Sequence, residues 1–125
     1  MKRFTLLLLL VMLAHLLSYG QIKIGIIGLD TSHSPAFTKL INAVDKSPTY
    51  EGFQIVAAYP YGSRTIEFSY NRIPGFTKQV EEYGVEIVSS IAELLEKVDC
   101  VMLETNDGNV HLEQAAEVFK AGKSV

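Results

Sequence analysis

Residues 22–33 have the sequence Ile-Lys-Ile-Gly-Ile-Ile-Gly-Leu-Asp-Thr-Ser-His. An apolar run that leads into a glycine turn is typical of the first strand of a dinucleotide-binding βαβ unit, whose turn has the pattern Gly-x-Gly-x-x-Gly. Gly28 matches the first glycine, but Asp30 and His33 stand where the second and third glycines are expected. The stretch therefore predicts the fold of such a unit more strongly than it predicts the ligand.

The first 20 residues have the layout of a secretory signal peptide. Lys2 and Arg3 form a short basic start, residues 4–17 are almost entirely apolar, and small residues precede a predicted cleavage before Gln21. The alternative is an uncleaved membrane anchor, but the apolar run is shorter than the roughly 20 residues that a spanning helix needs. We therefore expect export to the periplasm or the extracellular space, with no stable membrane anchor after cleavage.

Residues 21–125 are expected to form one small domain, because 105 residues can bury a single hydrophobic core. Loss of the two basic residues of the signal peptide would change the formal net charge from −3 to −5. Nucleic-acid binding needs clustered Lys and Arg side chains, which are scattered here, so we expect no nucleic acid as a partner. Cys100 is the only cysteine, which excludes an intrachain disulfide, and its apolar neighbours predict a buried, unreactive thiol.

Strand and helix patterns alternate along the rest of the chain. This alternation predicts an α/β fold, namely a doubly wound parallel sheet between two layers of helices. The domain is expected to be incomplete, because a fifth strand would only begin at Ser124. Strands are predicted at 22–27, 53–59, 85–88 and 99–105, an irregular connection at 60–75, and later helices at 77–83, 90–97 and 110–121, the last one stopped by Gly122.

Two helix starts carry capping signals. Ser34 is expected to be the N-cap of the first helix, with Pro35 in its first turn. Ser90 and Glu93 form a capping-box pattern that opens a later helix. Apolar side chains at helical spacing predict the face of the first helix that packs on the sheet, which consists of Phe37, Leu40, Ile41 and Val44.

Ligands of doubly wound sheets bind at the carboxyl ends of the strands, where the strand order reverses. Three segments that follow predicted strands should therefore lie close together: residues 29–34, 59–64 and 105–111. Polar loops at such strand ends are better placed for function than polar loops elsewhere. Asp107 or Asn109 is also expected to cap the helix that follows.

Residues 22–125 resemble the N-terminal domain of the Gfo/Idh/MocA oxidoreductases, a family named for glucose–fructose oxidoreductase and inositol dehydrogenase. The resemblance rests on the strand and turn at 22–28, on Thr105-Asn106 followed by His111, and on the tail Ala-Gly-Lys-Ser-Val at 121–125. It implies a Rossmann domain that binds NAD or NADP, followed by a domain for a small carbohydrate-like substrate. The family's Glu-Lys-Pro signature would come after residue 125, so the 125-residue chain by itself is expected to be inactive.

The implied reaction is hydride transfer between a nicotinamide and a carbohydrate or polyol. No catalytic residue and no metal ligand is assigned. The cofactor-binding residues that the resemblance implies lie at the three strand ends, and they are Gly28, Leu29, Asp30, Thr31, Ser32, His33, Tyr59, Thr105, Asn106 and His111.

Two departures from the dinucleotide pattern leave alternatives open. Asp30 puts a carboxylate near the expected phosphates, so it belongs either to a modified nucleotide loop or, with Thr31 and Ser32, to a cap of the turn and helix. The second strand lacks the acidic residue that holds the ribose of NAD. Ser63 and Arg64 could instead bind the 2′-phosphate of NADP, or Arg64 could simply face solvent. The aromatic side chains near this strand could stack on a base or sugar, although we expect most of them to pack the loop onto the domain: Tyr59, Tyr61, Phe68, Tyr70 and Phe76.

Two further hypotheses remain beside the oxidoreductase. The first is a non-catalytic module that uses the edge from Asp30 to His33 to bind a sugar or a protein partner. The second is an atypical lyase or hydrolase that uses a bound nucleotide transiently. Asp30 and His33 could also share a metal ion. A single pair of ligands is weak evidence for a metal site, however, and a histidine that simply lies in the turn is the favoured interpretation.

Overall fold

The computed structural model describes residues 20–125. Residues 1–19 of the predicted signal peptide therefore lie outside the described residues. Four parallel strands form one sheet in the spatial order β3-β2-β1-β4. Within the described residues, no helix has the length and apolar character needed to cross a membrane. The strands are β1 (Ile22–Ile27), β2 (Phe53–Tyr59), β3 (Glu86–Ile87) and β4 (Cys100–Leu103).

Helices cover both faces of this sheet. One face packs against α1 (His33–Asn42) and α3 (Ile73–Glu81) through a cluster that includes Ile41 and Val80. The other face packs against α4 (Ile91–Lys97) and α5 (His111–Lys120) through a cluster that includes Leu94 and Val118. The predicted three-layer α/β fold is therefore confirmed. The helices are α1 (His33–Asn42), α2 (Glu67–Tyr70), α3 (Ile73–Glu81), α4 (Ile91–Lys97) and α5 (His111–Lys120), with short 3-10 turns at Pro48–Tyr50 and Gly108–Val110.

The central strand β1 is buried on both faces, as a continuous apolar run requires. Ile26 and Ile27 point to opposite faces and are fully buried. Gly25 precedes them in the strand and lies in close contact with α4, because a Cβ atom at this position would be 3.0 Å from the side chain of Leu94. The absence of a side chain at position 25 thus lets α4 pack directly on the strand.

Helix α1 differs from the predicted start and the predicted face. Ser32, not Ser34, occupies the N-cap position, and the Ser34 hydroxyl donates a hydrogen bond of 2.9 Å to the carbonyl of Gly28. The residues that face the sheet are Ser34, Thr38 and Ile41, whereas Leu40 and Val44 are exposed. The predicted face was wrong for Leu40, which lies about 100° around the helix from the buried Ile41, and for Val44, which lies beyond the end of α1.

The segment after β2 is more regular than predicted. It contains the short helix α2, and α3 begins at Ile73, four residues before the predicted start, with Pro74 in its first turn. Strands β3 and β4 are shorter than predicted, because the regular pairing with a neighbouring strand covers residues 86–87 and 100–103. Ser124 forms a single parallel bridge with Cys100, which agrees with the predicted start of a fifth strand.

Two smaller expectations have different outcomes. Gly122 follows α5 with a φ of 70°, which is the left-handed conformation expected of a residue that stops a helix. Cys100 is partly exposed instead of buried. It lies on β4 at the edge of the sheet, where the outer side of the strand is covered by a single bridge to Ser124. Burial and the adjacent Asp99 carboxylate still raise the pKa of its thiol, which agrees with an unreactive group.

Candidate functional site

The three predicted segments meet at the carboxyl edge of the sheet. Directly after β1, the Gly28 amide donates to the carbonyl of Tyr59, the last residue of β2, at 3.0 Å, and the Leu29 amide donates to the Tyr61 carbonyl at 3.1 Å. These bonds continue the pairing of the two strands into their loops. The prediction that residues 29–34, 59–64 and 105–111 lie together is confirmed by these contacts and by those of Asp30 described below.

Gly28 lets the β1 turn touch the loop after β4. Its φ is 98°, and a Cβ atom at this position would lie 2.4 Å from the amide nitrogen of Thr105. A side chain at residue 28 is therefore excluded both by the backbone conformation and by space. In this chain the first glycine of the motif brings two loops of the protein into contact.

Asp30 lies between the two neighbouring loops and is fully buried. Its Oδ1 accepts a hydrogen bond of 3.0 Å from the Asn106 amide, and its Oδ2 accepts one of 3.3 Å from the Ser63 amide. Of the two alternatives for Asp30, capping of α1 is not what the structure has, because the carboxylate turns inward to these two loops. The side chain of Ser32 also makes no capping bond within the described part of the chain.

Ser63 joins the loop after β2 to the loop after β4. Its hydroxyl donates to Asp107 Oδ2 at 3.0 Å and accepts bonds from the amides of Thr65 at 3.2 Å and Ile66 at 3.1 Å. A second link runs from the Asn106 side-chain amide to the Ser69 hydroxyl at 2.8 Å. Because β1 lies between β2 and β4, the loop that carries Ser63 crosses over the end of β1.

Ser69 was not predicted, and Ser63 was considered only together with Arg64 for the 2′-phosphate of NADP, because the hydrogen-bond partners of both serines are distant in the chain. Asp107 was predicted as a helix cap, and it does accept the Asn109 amide at 3.0 Å in the 3-10 turn. This bond and the Ser63 hydroxyl lower the pKa of the Asp107 carboxyl below its usual value. Asp107 therefore remains an ionised acceptor at neutral pH.

A second group of titratable side chains lies at the end of β4. His33 Nδ1 is 3.6 Å from Glu104 Oε2, with the histidine largely exposed and the glutamate largely buried. Burial raises the pKa of Glu104, and the nearby His33 and His111 partly oppose this increase. The His111 ring forms a hydrogen bond with the Thr105 carbonyl, so it is held against the loop.

The structure offers no support for a metal ion shared by Asp30 and His33. Both carboxylate oxygens of Asp30 already accept backbone amides, and His33 pairs with Glu104 instead. Within residues 20–125, no group of three or more His, Cys, Asp or Glu side chains is arranged to hold a metal.

A cavity of about 440 Å³ opens beside the end of β2, between this strand, α4 and α5. The Tyr59 and Tyr61 rings lie 5.9 Å apart at an angle of 32°, and the Arg64 guanidinium lies 5.9 Å from the Tyr61 ring centre. Gln114 also lines the cavity, and its buried Oε1 has no hydrogen-bond partner in the described part of the chain. The cavity thus combines aromatic faces, one cation, the carboxylates of Glu113 and Glu117, and an unpaired amide oxygen.

The aromatic side chains after β2 separate into two groups. Tyr59 and Tyr61 line the cavity, and Phe76 packs partly buried against the hydrophobic core. Phe68 and Tyr70 are 71% and 62% exposed, so the expectation that most of these rings pack the loop onto the domain is wrong for this pair. Both lie on the short helix α2.

The remaining predicted site residues differ in exposure. Leu29 and Thr105 are buried at the strand ends, Thr31 is half-buried, and Ser32 and His33 are exposed at the start of α1. The amino end of α1 therefore faces solvent, where the helix dipole favours an anion. The buried side chain of Asp30 lies directly beneath this surface.

Comparisons with known proteins show similarity to three solved dehydrogenase structures. UDP-N-acetylglucosamine 3-dehydrogenase from Acidithiobacillus ferrooxidans superimposes with a TM-score of 0.55 at 16% identity, and the match covers 83% of this chain and 27% of that protein. The dehydrogenase MviM from Clostridium difficile gives 0.54 at 23% identity and 29% of its length. Myo-inositol dehydrogenase from Lactobacillus casei, solved with NAD(H) and myo-inositol, gives 0.53 at 17% identity and 27% of its length.

No protein-family model and no curated protein matches the chain. The chain spans less than a third of the length of each of the three dehydrogenases. They are dehydrogenases of the Gfo/Idh/MocA type, so the fold expected from the resemblance is confirmed. The described residues and the three dehydrogenases share a Rossmann-like α/β fold.

Proposed function

We propose that residues 21–125 bind a nicotinamide nucleotide, NAD or NADP, as one domain of a longer, exported dehydrogenase for a carbohydrate or polyol. The observation that carries the proposal is the cavity beside β2, in a fold shared with three dehydrogenases. The nicotinamide would supply the hydride chemistry when it is bound, and the protein would supply position and charge.

The cavity fits the adenosine part of such a cofactor. Its volume lies within the usual range of ligand pockets, about 300–1,000 Å³, and the rings of Tyr59 and Tyr61 provide faces for stacking. Arg64 is the cation nearest to these rings, and it would favour the 2′-phosphate of NADP. The exposed amino end of α1 would favour the diphosphate, whereas the buried Asp30 carboxylate beneath it does not fit the usual close approach of phosphate to a glycine.

The proposed substrate class and the proposed export depend on observations other than the cavity. The match to a myo-inositol dehydrogenase and to a UDP-sugar dehydrogenase favours a hydroxyl-bearing, sugar-like substrate. Export rests on the basic and apolar pattern of the first 20 residues. An exported dehydrogenase would need a tightly held and recycled cofactor, since free NAD and NADP are scarce outside the cytoplasm.

Equilibrium titration of the purified protein with NAD(H) and NADP(H) tests the proposal. We expect dissociation constants on the order of micromolar for at least one of these nucleotides. Arg64→Ala should weaken NADP(H) more than NAD(H), since only NADP carries the 2′-phosphate. Arg72→Ala is the matched control, because Arg72 lies between the rings of Phe68 and Phe76, outside the cavity.

A second candidate is a non-catalytic module that keeps the fold and binds a sugar. The buried Asp30 with its two amide partners favours this candidate, because it closes the turn where a dinucleotide would need space. Absence of binding for every nucleotide, together with retained binding of a carbohydrate, would support the module and contradict the dehydrogenase.

A further inference from the structure

Five polar side chains at the carboxyl edge form one connected cluster, which we call the clasp: Asp30, Ser63, Ser69, Asn106 and Asp107. Four of its members are at most 8% exposed, and only Asn106 reaches the surface. Its hydrogen bonds join the loops after β1, β2 and β4, which are far apart in sequence. The clasp is therefore a tertiary feature and not a local turn.

The clasp lies across the path of an extended ligand. The cavity opens beside β2, whereas the strand order reverses between β1 and β4. A dinucleotide that starts in the cavity and reaches the β4 side must pass over the end of β1. The loop around Ser63 occupies this position, since Ser63 bonds to Asp30 below it and to Asp107 beyond it.

The packing around Asp30 keeps this loop close to β1. A Cβ atom at Gly62 would lie 2.9 Å from the Asp30 Cβ and 2.7 Å from the Ile73 Cδ1, so the loop backbone rests directly on these side chains. The carboxylate is satisfied by amides from both sides. When the loop moves away, Asp30 loses the Ser63 amide, and a buried carboxylate with fewer donors is unfavourable.

We infer that the clasp is a gate for extended ligands: a dinucleotide binds only after the Ser63 amide has left Asp30, whereas a mononucleotide in the cavity leaves the clasp closed. This inference rests on the proposed nucleotide binding. Of the two bonds to Asp30, the one to Ser63 is the longer, at 3.3 Å against 3.0 Å for Asn106. The loop after β2 carries Ser63 across the end of β1, between Asp30 and Asp107, so this loop is the side of the gate that must move for it to open.

Amide exchange measured by NMR on the purified protein tests the gate without any mutation. In the free protein the Ser63 and Asn106 amides should exchange slowly, because both are bonded to Asp30. NAD(H) or NADP(H) should speed the exchange of the Ser63 amide, and AMP should leave it slow. Slow exchange of Ser63 with a bound dinucleotide would overturn the gate.

Asp30→Gly supplies a second test, because it removes the carboxylate and restores the glycine of the common motif. A closed clasp reduces the population that binds an extended ligand, so the variant should bind the dinucleotide about tenfold more tightly, with AMP affinity changed less than about twofold. Asp30→Asn, which keeps the size of the side chain and removes its charge, should give a smaller gain. The matched control is Asp45→Gly, since Asp45 is exposed after the end of α1.

The outcomes separate the gate from the function on which it rests. Equal dinucleotide affinity in the parent protein and the Asp30 variants would overturn the gate, while the binding itself would still support the proposed function. Absence of binding for AMP and for both dinucleotides in every variant would contradict the proposed function and the gate with it. Tighter binding of the dinucleotide alone in Asp30→Gly would support both.

Discussion

Gly28 shows how a single residue controls the geometry of the edge where ligands are expected. Its φ of 98° and its contact with the backbone of Thr105 leave no room for a Cβ atom. We expect Gly28→Ala to lower the free energy of unfolding by about 3 kcal/mol or more, from backbone strain together with the clash. Chemical denaturation measures this loss.

Gly52→Ala is the control for this prediction. A Cβ atom at Gly52 would meet no other atom within 4 Å, so this variant should stay within about 1 kcal/mol of the parent protein. Similar stabilities of the two variants would show that the contact between the β1 turn and Thr105 is looser than the structure has it.

Glu104 links the stability of the protein to pH. Burial raises its folded-state pKa above the ordinary value of 4.5, so the folded protein holds this proton more tightly than the unfolded chain. The contribution of Glu104 to stability is therefore present at low pH and is lost as the pH rises from 4.5 through the raised pKa. The glutamine of Glu104→Gln cannot ionise. The free energy of unfolding of this variant should therefore fall less between pH 4 and pH 8 than that of the parent protein.

Denaturation curves of the parent protein and Glu104→Gln at several pH values give the comparison. The exposed His33 contact adds little, because exposed ion pairs contribute about 0–1 kcal/mol. Parallel pH profiles for the two proteins would contradict the assigned effect of burial on Glu104.

The start of helix α4 follows the capping-box signal in the sequence only in part. The Ser90 hydroxyl accepts the Glu93 amide at 3.1 Å, as the capping box predicts. The reciprocal bond is different, because Glu93 Oε2 accepts the amide and hydroxyl of Ser89 instead of the Ser90 amide. These two bonds lower the pKa of Glu93.

Removal of the cap should weaken α4 measurably. We expect Ser90→Ala to lower the free energy of unfolding by about 1 kcal/mol, the usual cost of a lost N-cap. Ser90→Asp retains an acceptor at this position and should recover most of the loss. Equal destabilisation by both substitutions would show that the hydroxyl contributes through packing and not through the cap.

At the scale of the whole molecule, stability depends on two hydrophobic clusters on opposite faces of one sheet. Leu94 is fully buried in one of them and contacts β1 at Gly25. Leu94→Ala should lower the free energy of unfolding by about 2–5 kcal/mol, because it leaves a cavity between α4 and the sheet. Thermal or chemical denaturation provides the measurement.

Leu112→Ala is the corresponding control, since Leu112 is 83% exposed on α5. It should change the stability by less than about 0.5 kcal/mol. Equal free energies of unfolding for Leu94→Ala and Leu112→Ala would show that α4 does not pack on β1 as the structure describes.

The sequence by itself determined the elements whose signals are local. The ranges of β1 and β2 and the start of α4 were predicted correctly, because apolar runs and a capping serine act over a few neighbouring residues. The meeting of the three loops also followed from the strand order expected of a parallel α/β sheet. Helix α3 began earlier than predicted, since Pro74 suits a first turn and the apolar pattern before it is weak.

Only the tertiary structure decided the orientation of side chains at the carboxyl edge. Asp30 was expected to be a cap or part of a nucleotide loop, but its partners are the amides of Ser63 and Asn106, 33 and 76 residues away. The glutamate that pairs with His33 and the cavity beside Tyr59 depend in the same way on loops that are distant in the chain. Periodicity and capping describe neighbours along the backbone, whereas these contacts exist only because the sheet brings the ends of separate strands together.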